Sequence, residues 1–600
     1  MAANKYNQLS RLKGLLQRDG VSGVYQKIQA SGPVVEALFP GNPMAPKHYS
    51  DWIERHESAL SPPTIKQGPQ LSILMPVYAP DHDFLDAAIG SILGQSYANW
   101  ELCIHVDGSC DSRLERYLSE QQHRDDRIKY TLGTENRGIA HASNQAAKLA
   151  NGDFVVLMDQ DDCLSSFALA YIAQSIADDP DTKLIYSDED KLNASGTRES
   201  PYFKPEFNYQ LLLSQNYFCH LVAINRSVFL TVEGFRTGFD GAQDHDLILR
   251  VIEQINPRQI HHIPRVLYHW RMHEQSTAAD ISSKPRALEA GRSAVADHLG
   301  RKSVSAQVEV TGVRYRVTYD TPGEASVTII IPTRNGVATL ARCVESIRNL
   351  TSYSNYDIMI VDNGSDDYKT LQYLKLLSEE GIDVVVANQP FNFSALNNLA
   401  FTKANSDFVC LLNDDTEVIT PGWLTEMLGH ASQAKVGAVG AKLLYPNDTI
   451  QHAGVILGIG GVAGHGHKHF ARPADGYFSR LQVSQNLSAV TAACMLIKTS
   501  IWQEVGGLDE ALAVAFNDID FCLRLADAGY SIVWTPWAEL YHHESISRGY
   551  EDTPEKQQRF TDEVDVMRAR WGKQLAEDPH YSPHLTLKNE SFMLRKPSEY

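Results

Sequence analysis

Phe154-Val155-Val156-Leu157-Met158-Asp159-Gln160-Asp161-Asp162 is an unbroken apolar run that ends abruptly in carboxylates. Such a run, bounded by polar residues, fits a short strand buried on both faces, as in a parallel sheet covered by helices. The acids then stand at the carboxyl edge of the sheet, where open α/β folds bind ligands. Alternation sends residues i and i+2 to the same side, so Asp159 and Asp161 can face one cation. Hard oxygen ligands suit Mg²⁺ or Mn²⁺, and those ions bridge diphosphates. A solvated turn with helix-capping acids is the plainer account of the same residues.

Recurrence favours the ligand account. Phe408-Val409-Cys410-Leu411-Leu412-Asn413-Asp414-Asp415 repeats the pattern, Asp415 following Asp161 by 254 residues. Working outward, Met75-Pro76-Val77-Tyr78 has its counterpart in Ile331-Pro332-Thr333-Arg334-Asn335, with Pro332 256 residues after Pro76. Asp107-Gly108-Ser109 matches Asp362-Asn363-Gly364-Ser365, the glycines again 256 apart. Gln243-Asp244-His245-Asp246 matches Asn517-Asp518-Ile519-Asp520, Asp518 following Asp244 by 274. An ordered set in one register means two copies of one domain. Asp161 and Asp415 are the shared carboxylates and the main metal candidates, with Asp159 and Asn413 supporting sugar or cation through hydrogen bonds.

Between these motifs, strands and amphipathic helices alternate. Leu71 to Met75 and Trp100 to Val106 read as strands, and Phe84, Leu85, Ala88, Ile89, Ile92 and Leu93 mark a helix between them. That alternation predicts tandem α/β domains with mostly parallel sheets. The chain divides into an extension (1–66), a first module (67–300), a linker (301–324), a second module (325–552) and a helical C-terminal extension (553–600). A chain of 600 residues is long enough for two such cores.

Asp244 and Asp518 both precede an apolar, helix-like run that ends in Arg250 or Arg524. Capping explains one such acid. A general base that takes a proton from an attacking hydroxyl explains two at the same spacing. Each repeat closes on histidines, Tyr268-His269-Trp270-Arg271-Met272-His273 and Tyr541-His542-His543. Whether His269 or His273 matches His543 is open from spacing; His273 and His543 are preferred because each is followed by Glu. The glycine-rich Gly460 to His467 matches no phosphate-loop pattern and reads as a mobile loop or connector.

The net charge of −19 argues against a nucleic-acid partner but not against a phosphorylated ligand held through a cation. Eight scattered cysteines without a C-x-x-C pair fit buried free thiols in a reducing compartment. No apolar window approaches the roughly 18 residues of a membrane span, so a cytoplasmic protein is expected. Residues 1–30 carry Lys5, Arg11, Lys13, Arg18 and Lys27 among helically spaced leucines. A helix docked on its own protein is the preferred reading, and peripheral contact with anionic lipid at the inner membrane face the alternative.

Taken together, about 70–277 and 326–550 resemble family 2 inverting glycosyltransferases with the GT-A fold. The resemblance implies a divalent cation, Mn²⁺ or Mg²⁺, held by Asp161 and Asp415 with His273 and His543. It implies Asp244 and Asp518 as catalytic bases. Nucleotide-sugar contacts would come from Pro76, Tyr78, Asp107 and Asp159, and from Pro332, Thr333, Asn335, Asp362, Asn413 and Asp414. Tyr186-Ser187-Asp188-Glu189-Asp190-Lys191 and Tyr541 to Gly549 resemble bacterial members that build O-antigen and other surface polysaccharides, rhamnosyltransferase-like proteins among them. The copies differ where Val106 stands in place of Asp362 and where Val77-Tyr78-Ala79 lacks the counterpart of Asn335. The implied reaction is one inverting displacement on a nucleotide-diphosphate sugar, at two sites, onto a lipid-linked glycan. Transfer to a protein such as a flagellin, or one catalytic module beside a glycan-binding one, are the alternatives.

Overall fold

The computed structural model describes residues 46–57, 63–65, 68–108, 110–272, 285–543, 553–596 and 599. The basic segment 1–30 and His273 lie outside them. The chain forms two compact units, one built on Pro43–Val317 and one on Thr318–Tyr581.

In the first unit the strands are β1 (Leu71–Val77), β2 (Trp100–Val106), β3 (Ile128–Leu132), β4 (Phe154–Leu157), β5 (Cys163–Leu164), β6 (Leu184–Leu192), β7 (Arg198–Tyr202), β8 (Val222–Asn225) and β9 (Ile260–Arg271). They form one sheet in the order β3-β2-β1-β4-β8-β6-β9-β5, with β7 on β6. From β3 to β4 every neighbour is parallel. Antiparallel β8 then turns the sheet before parallel β6 and β9. Chain order reverses between β1 and β4, which opens a crevice at their carboxyl ends. The helices that serve it are α1 (His82–Leu93), α2 (Ser112–Arg124), α3 (Ile139–Ala147), α4 (Ala168–Asp178), α5 (Gln243–Ile252) and α6 (Pro285–Arg301). Asp81 and Asp111 begin α1 and α2 by accepting from two backbone N–H groups each, which satisfies donors the first turn leaves free.

A two-stranded sheet, β10 (Ala306–Thr311) and β11 (Arg314–Tyr319), follows in the chain. The second unit then repeats the plan. Its main sheet runs β14 (Asp383–Val386), β13 (Tyr356–Asp362), β12 (Val327–Thr333), β15 (Phe408–Leu412), β22 (Cys494–Lys498), β17 (Val436–Leu444), β23 (Ser531–His542) and β16 (Thr416–Val418). β18 (Ile450–His452) and β21 (Gln485–Leu487) add to β17 and β23, while β19 (Val455–Leu457) and β20 (Ala463–His465) pair separately. Helices α7 (Val337–Leu350), α8 (Tyr368–Glu379), α9 (Phe393–Phe401), α10 (Trp423–Ala431), α11 (Asn517–Asp527) and α12 (Pro554–Ala576) complete it.

Both faces of this sheet are apolar for the reason visible in the sequence. Ile329 and Ile331 join the core that holds Leu340 of α7, whereas Ile330 joins the one that holds Leu396 of α9. A strand covered by helices on both sides needs apolar residues at every position.

The registers superpose the two copies. Pro76 pairs with His105, and Pro332 with Val361; Leu74 pairs with Leu157, and Ile330 with Leu411. Val106 therefore stands where Asp362 does, Asp107 where Asn363 does, and Asp159-Gln160-Asp161 where Asn413-Asp414-Asp415 does.

Candidate active sites

Each unit has a cavity at that crevice, of about 690 Å³ in the first and about 770 Å³ in the second. Pro76, Tyr78, Asp107, Asp159, Asp161 and Asp244 all line the first. Pro332, Thr333, Asn335, Asn413, Asp414, Asp415 and Asp518 all line the second. Residues up to 186 apart in sequence, Pro332 and Asp518, meet because the acids follow β4 or β15 while the late acid opens α5 or α11. Asp362 and His543 are absent from the walls.

The middle residue of the acidic loop ties it to the first strand of each sheet. Gln160 accepts from the Tyr78 backbone N–H at 2.9 Å and donates to the Tyr78 carbonyl at 3.0 Å. Asp414, in the same place, accepts from Thr333 Oγ1 at 2.7 Å. Asn335, at a φ of 55°, accepts at Oδ1 from the N–H groups of Asp366 and Asp367 and so shapes the neighbouring loop. Asp362 accepts from the Ser365 N–H at 2.9 Å.

Three carboxylates crowd the first cavity. Burial, then the neighbouring Asp161, pushes Asp159 up to about 7. Burial and both neighbours hold Asp162 well above the ordinary carboxylate range, although it accepts from Tyr268 Oη at 2.7 Å and the Arg271 N–H at 2.8 Å. Acids that resist ionising together mark a place short of positive charge, and a divalent cation fits that donor set. Asp244 is pushed up to about 6 by burial, with Asp159 adding to the shift and His220 opposing it. His220 Nε2 is 3.6 Å from Asp159 Oδ2, and its ring stacks on Tyr268.

The second cavity is balanced differently. His542 Nε2 lies 3.2 Å from Asp415 Oδ1 and 3.3 Å from Asn413 Nδ2. Burial raises the Asp415 carboxyl, but His542 beside it brings the net shift below the ordinary value. Asp518 is raised by burial, while the N–H groups of Ala492 and Ile519 that it accepts from moderate the shift. Asp415 and His542 are the natural donors for a cation here. Lys556 and Arg559 from the first turns of α12 also line this cavity.

The strand register settles the histidine correspondence. Cys163 pairs with His269 and Glu417 with Tyr541, so Trp270 occupies the place of His542, and Arg271 that of His543. The preferred match of His273 with His543 is thereby corrected. His543 Nε2 sits on Glu417 at 2.9 Å, since alternation along β23 sends it away from its neighbour. Sequence reasoning also missed His220, Asn216 and Tyr315 in the first cavity, and Gln451, His465, Lys556 and Arg559 in the second. Only His542 had a partial signal: the two-residue period of the closing strand separates it from His543, and the register chooses between them.

The second acids of the late motifs have another task. Asp246 is fully buried, bonded to Arg236 and, at 2.7 Å, to Arg250 Nη2. Asp520 is fully buried on Arg524, Arg570 and Trp571.

The family model described as "Glycosyl transferase family 2" matches residues 72–232 and again 328–503. An uncharacterised protein of Sinorhizobium fredii is 47% identical over 539 residues, 89% of this chain and 59% of its own length. An O-antigen biosynthesis protein of Myxococcus xanthus is 35% identical over 537 residues, again 89% of this chain but 42% of its own. The chain thus spans about half the length of these two relatives. Among solved structures, a mannosyltransferase from Pyrobaculum calidifontis in complex with GDP-Man and Mn²⁺ aligns at 15% identity with a TM-score of 0.31, over 42% of this chain and 70% of that one.

Proposed function

The chain belongs to glycosyl transferase family 2, with two copies of its domain, and on that premise we propose two sugar-transfer sites acting on a growing bacterial surface glycan. One observation carries this reading. Each unit sets an acidic loop and a helix-borne aspartate, Asp244 or Asp518, around one cavity at the same crevice. The named function of the Myxococcus relative supports an O-antigen-type product.

In the reaction, Asp244 or Asp518 takes the proton of an acceptor hydroxyl. The hydroxyl oxygen bonds to the anomeric carbon of a nucleotide-diphosphate sugar as the bond to the diphosphate breaks on the opposite face. The electron pair leaves with the diphosphate, and configuration inverts. Asp159, Asp161 and Asp162 in the first cavity, and Asp415 with His542 in the second, would hold a Mn²⁺ or Mg²⁺ ion that supplies charge to the departing diphosphate. Lys556 and Arg559 add positive charge from the protein itself at the second cavity. Burial raises both carboxyls, Asp244 to about 6, which suits a group that must accept and release a proton.

The acceptor is a lipid-linked glycan, consistent with the surface-glycan product. Incubation of the whole chain with UDP-, GDP- and dTDP-sugars and lipid-linked acceptor, reading released nucleoside diphosphate and linkage, tests this. Asp244→Asn and Asp518→Asn should each remove a different linkage. Retention of both linkages in each variant would overturn the two-site reading. Loss of all transfer from Asp518→Asn alone would favour the second reading, one catalytic and one glycan-binding module. Trp270 in the place of His542 is what recommends that alternative. Glycosylation of a flagellin-type protein and not of lipid-linked glycan would overturn the proposed acceptor.

A further inference from the structure

Beside the first cavity, three groups converge with their facing atoms unsatisfied. His105, in β2, is 5% exposed and Asp107, just past its end, 3%. His141, in the first turn of α3, has a side chain 17% exposed. One ligand-type atom from each lies within 4.8 Å of the others. His105 Nε2, Asp107 Oδ1 and His141 Nδ1 are buried without a hydrogen-bond partner, and the last two are 3.6 Å apart. A buried polar group left unpaired is costly, so three together call for a shared partner.

The opposite edge of each group is fixed. His105 Nδ1 is 2.8 Å from Thr131 Oγ1, which leaves Nε2 as the atom turned inward. Asp107 Oδ2 accepts from the N–H groups of Arg137 and Gly138, both at 2.9 Å, which aims Oδ1 at the histidines. His141 Nε2 is 3.0 Å from the Gln145 side chain. Gly133 keeps the space open, since a Cβ there would stand 3.2 Å from His105 Nε2 and 2.9 Å from the Val106 carbonyl. Oriented ligands with such outer contacts are the usual build of a metal site.

We propose that His105, Asp107 and His141 bind a borderline divalent cation of the Zn²⁺ class, separate from the site of Asp159, Asp161 and Asp162. Two imidazoles and one carboxylate suit Zn²⁺ better than Mg²⁺ and leave a fourth position open. His141 gives its Nδ1 lone pair to the cation and keeps its proton on Nε2. That proton needs an acceptor, so the Gln145 amide, whose nitrogen faces His141 Nε2 while its oxygen accepts from Lys148 Nζ, turns over when the cation binds. Asp107 also lines the first cavity, so the cation borders whatever binds there.

The second unit is a built-in control. Val361 and Asn363 stand at the registers of His105 and Asp107. Asn144 and Asn398 make the same paired bonds to the backbone of Phe235 and Leu508, which places Ala395 opposite His141. The trio belongs to the first copy alone.

The test uses the whole chain, stripped with a chelator and titrated with Zn²⁺ and with Co²⁺ as a spectroscopic stand-in. The wild type should bind one more equivalent of Zn²⁺ than the His105→Gln/His141→Gln double variant. Its Co²⁺ form should show visible d–d bands that the variant lacks. Equal stoichiometry and identical Co²⁺ spectra in the two proteins would overturn the proposal. Should the double variant fail to fold, Asp107→Asn keeps the shape and the acceptor for Arg137 and Gly138, and the same two readouts apply. Metal binding is read directly, so the outcome is independent of whether sugar transfer is found.

Discussion

Asp244 and Asp518 must be ionised to accept a proton, and the protein makes that harder. With burial pushing Asp244 up to about 6, first-site turnover should climb as pH rises through about 6 and fall away below it. An acid limb near 4, the ordinary carboxylate range, would show that Asp244 is not the titrating base. Asp244→Asn and Asp518→Asn should each lower transfer at their own site by about 10²–10⁴-fold while the nucleotide sugar still binds, which calorimetry with the donor would check. The cavity positions of Asp244 and Asp518 were legible in the sequence because each residue opens a patterned helix at the same point of a repeat. His220 was not, since it lies just before β8 in no motif and reaches the cavity only through the sheet order. His542 was passed over for His543 because only the strand register shows which of two adjacent rings faces Asp415.

At the scale of elements, α5 and α11 hold their catalytic candidates through the second acid of each motif. Asp246 takes two arginines, and its carboxylate has no exposed surface. Removing one partner of a buried ion pair leaves the others uncompensated at a cost of about 3–5 kcal/mol. Asp246→Ala should therefore lose about that much stability in urea unfolding of the first unit, and a loss below about 1 kcal/mol would contradict this account. From sequence only the first acid of each motif, Asp244 or Asp518, had a role; the second had none. Burial separates them, one open to the cavity and one enclosed in arginine. The strands themselves were easy to read, because five-residue apolar runs ending in acids admit few other structures. Antiparallel β8 and β22 were not, as their pairing depends on residues more than 60 positions away.

For the whole molecule, the duplication preserved a frame and let its contents diverge. Chelation should abolish transfer at both sites, and Mn²⁺ or Mg²⁺ should restore it; activity that survives exhaustive chelation would argue against a cation at either acidic loop. Restoration need not be equal, because the first cavity crowds Asp159, Asp161 and Asp162 where the second sets His542 against Asp415. The ordered motifs revealed the tandem plan from sequence, whereas Lys556 and Arg559 lay in what read only as a helical C-terminal extension. The exchange of Trp270 for His542 has one more consequence, an optical one. An indole lines the first cavity, and no tryptophan lines the second. Light emitted by Trp270 should dim when paramagnetic Mn²⁺ settles nearby, and Trp270→Phe should remove that component of the quench.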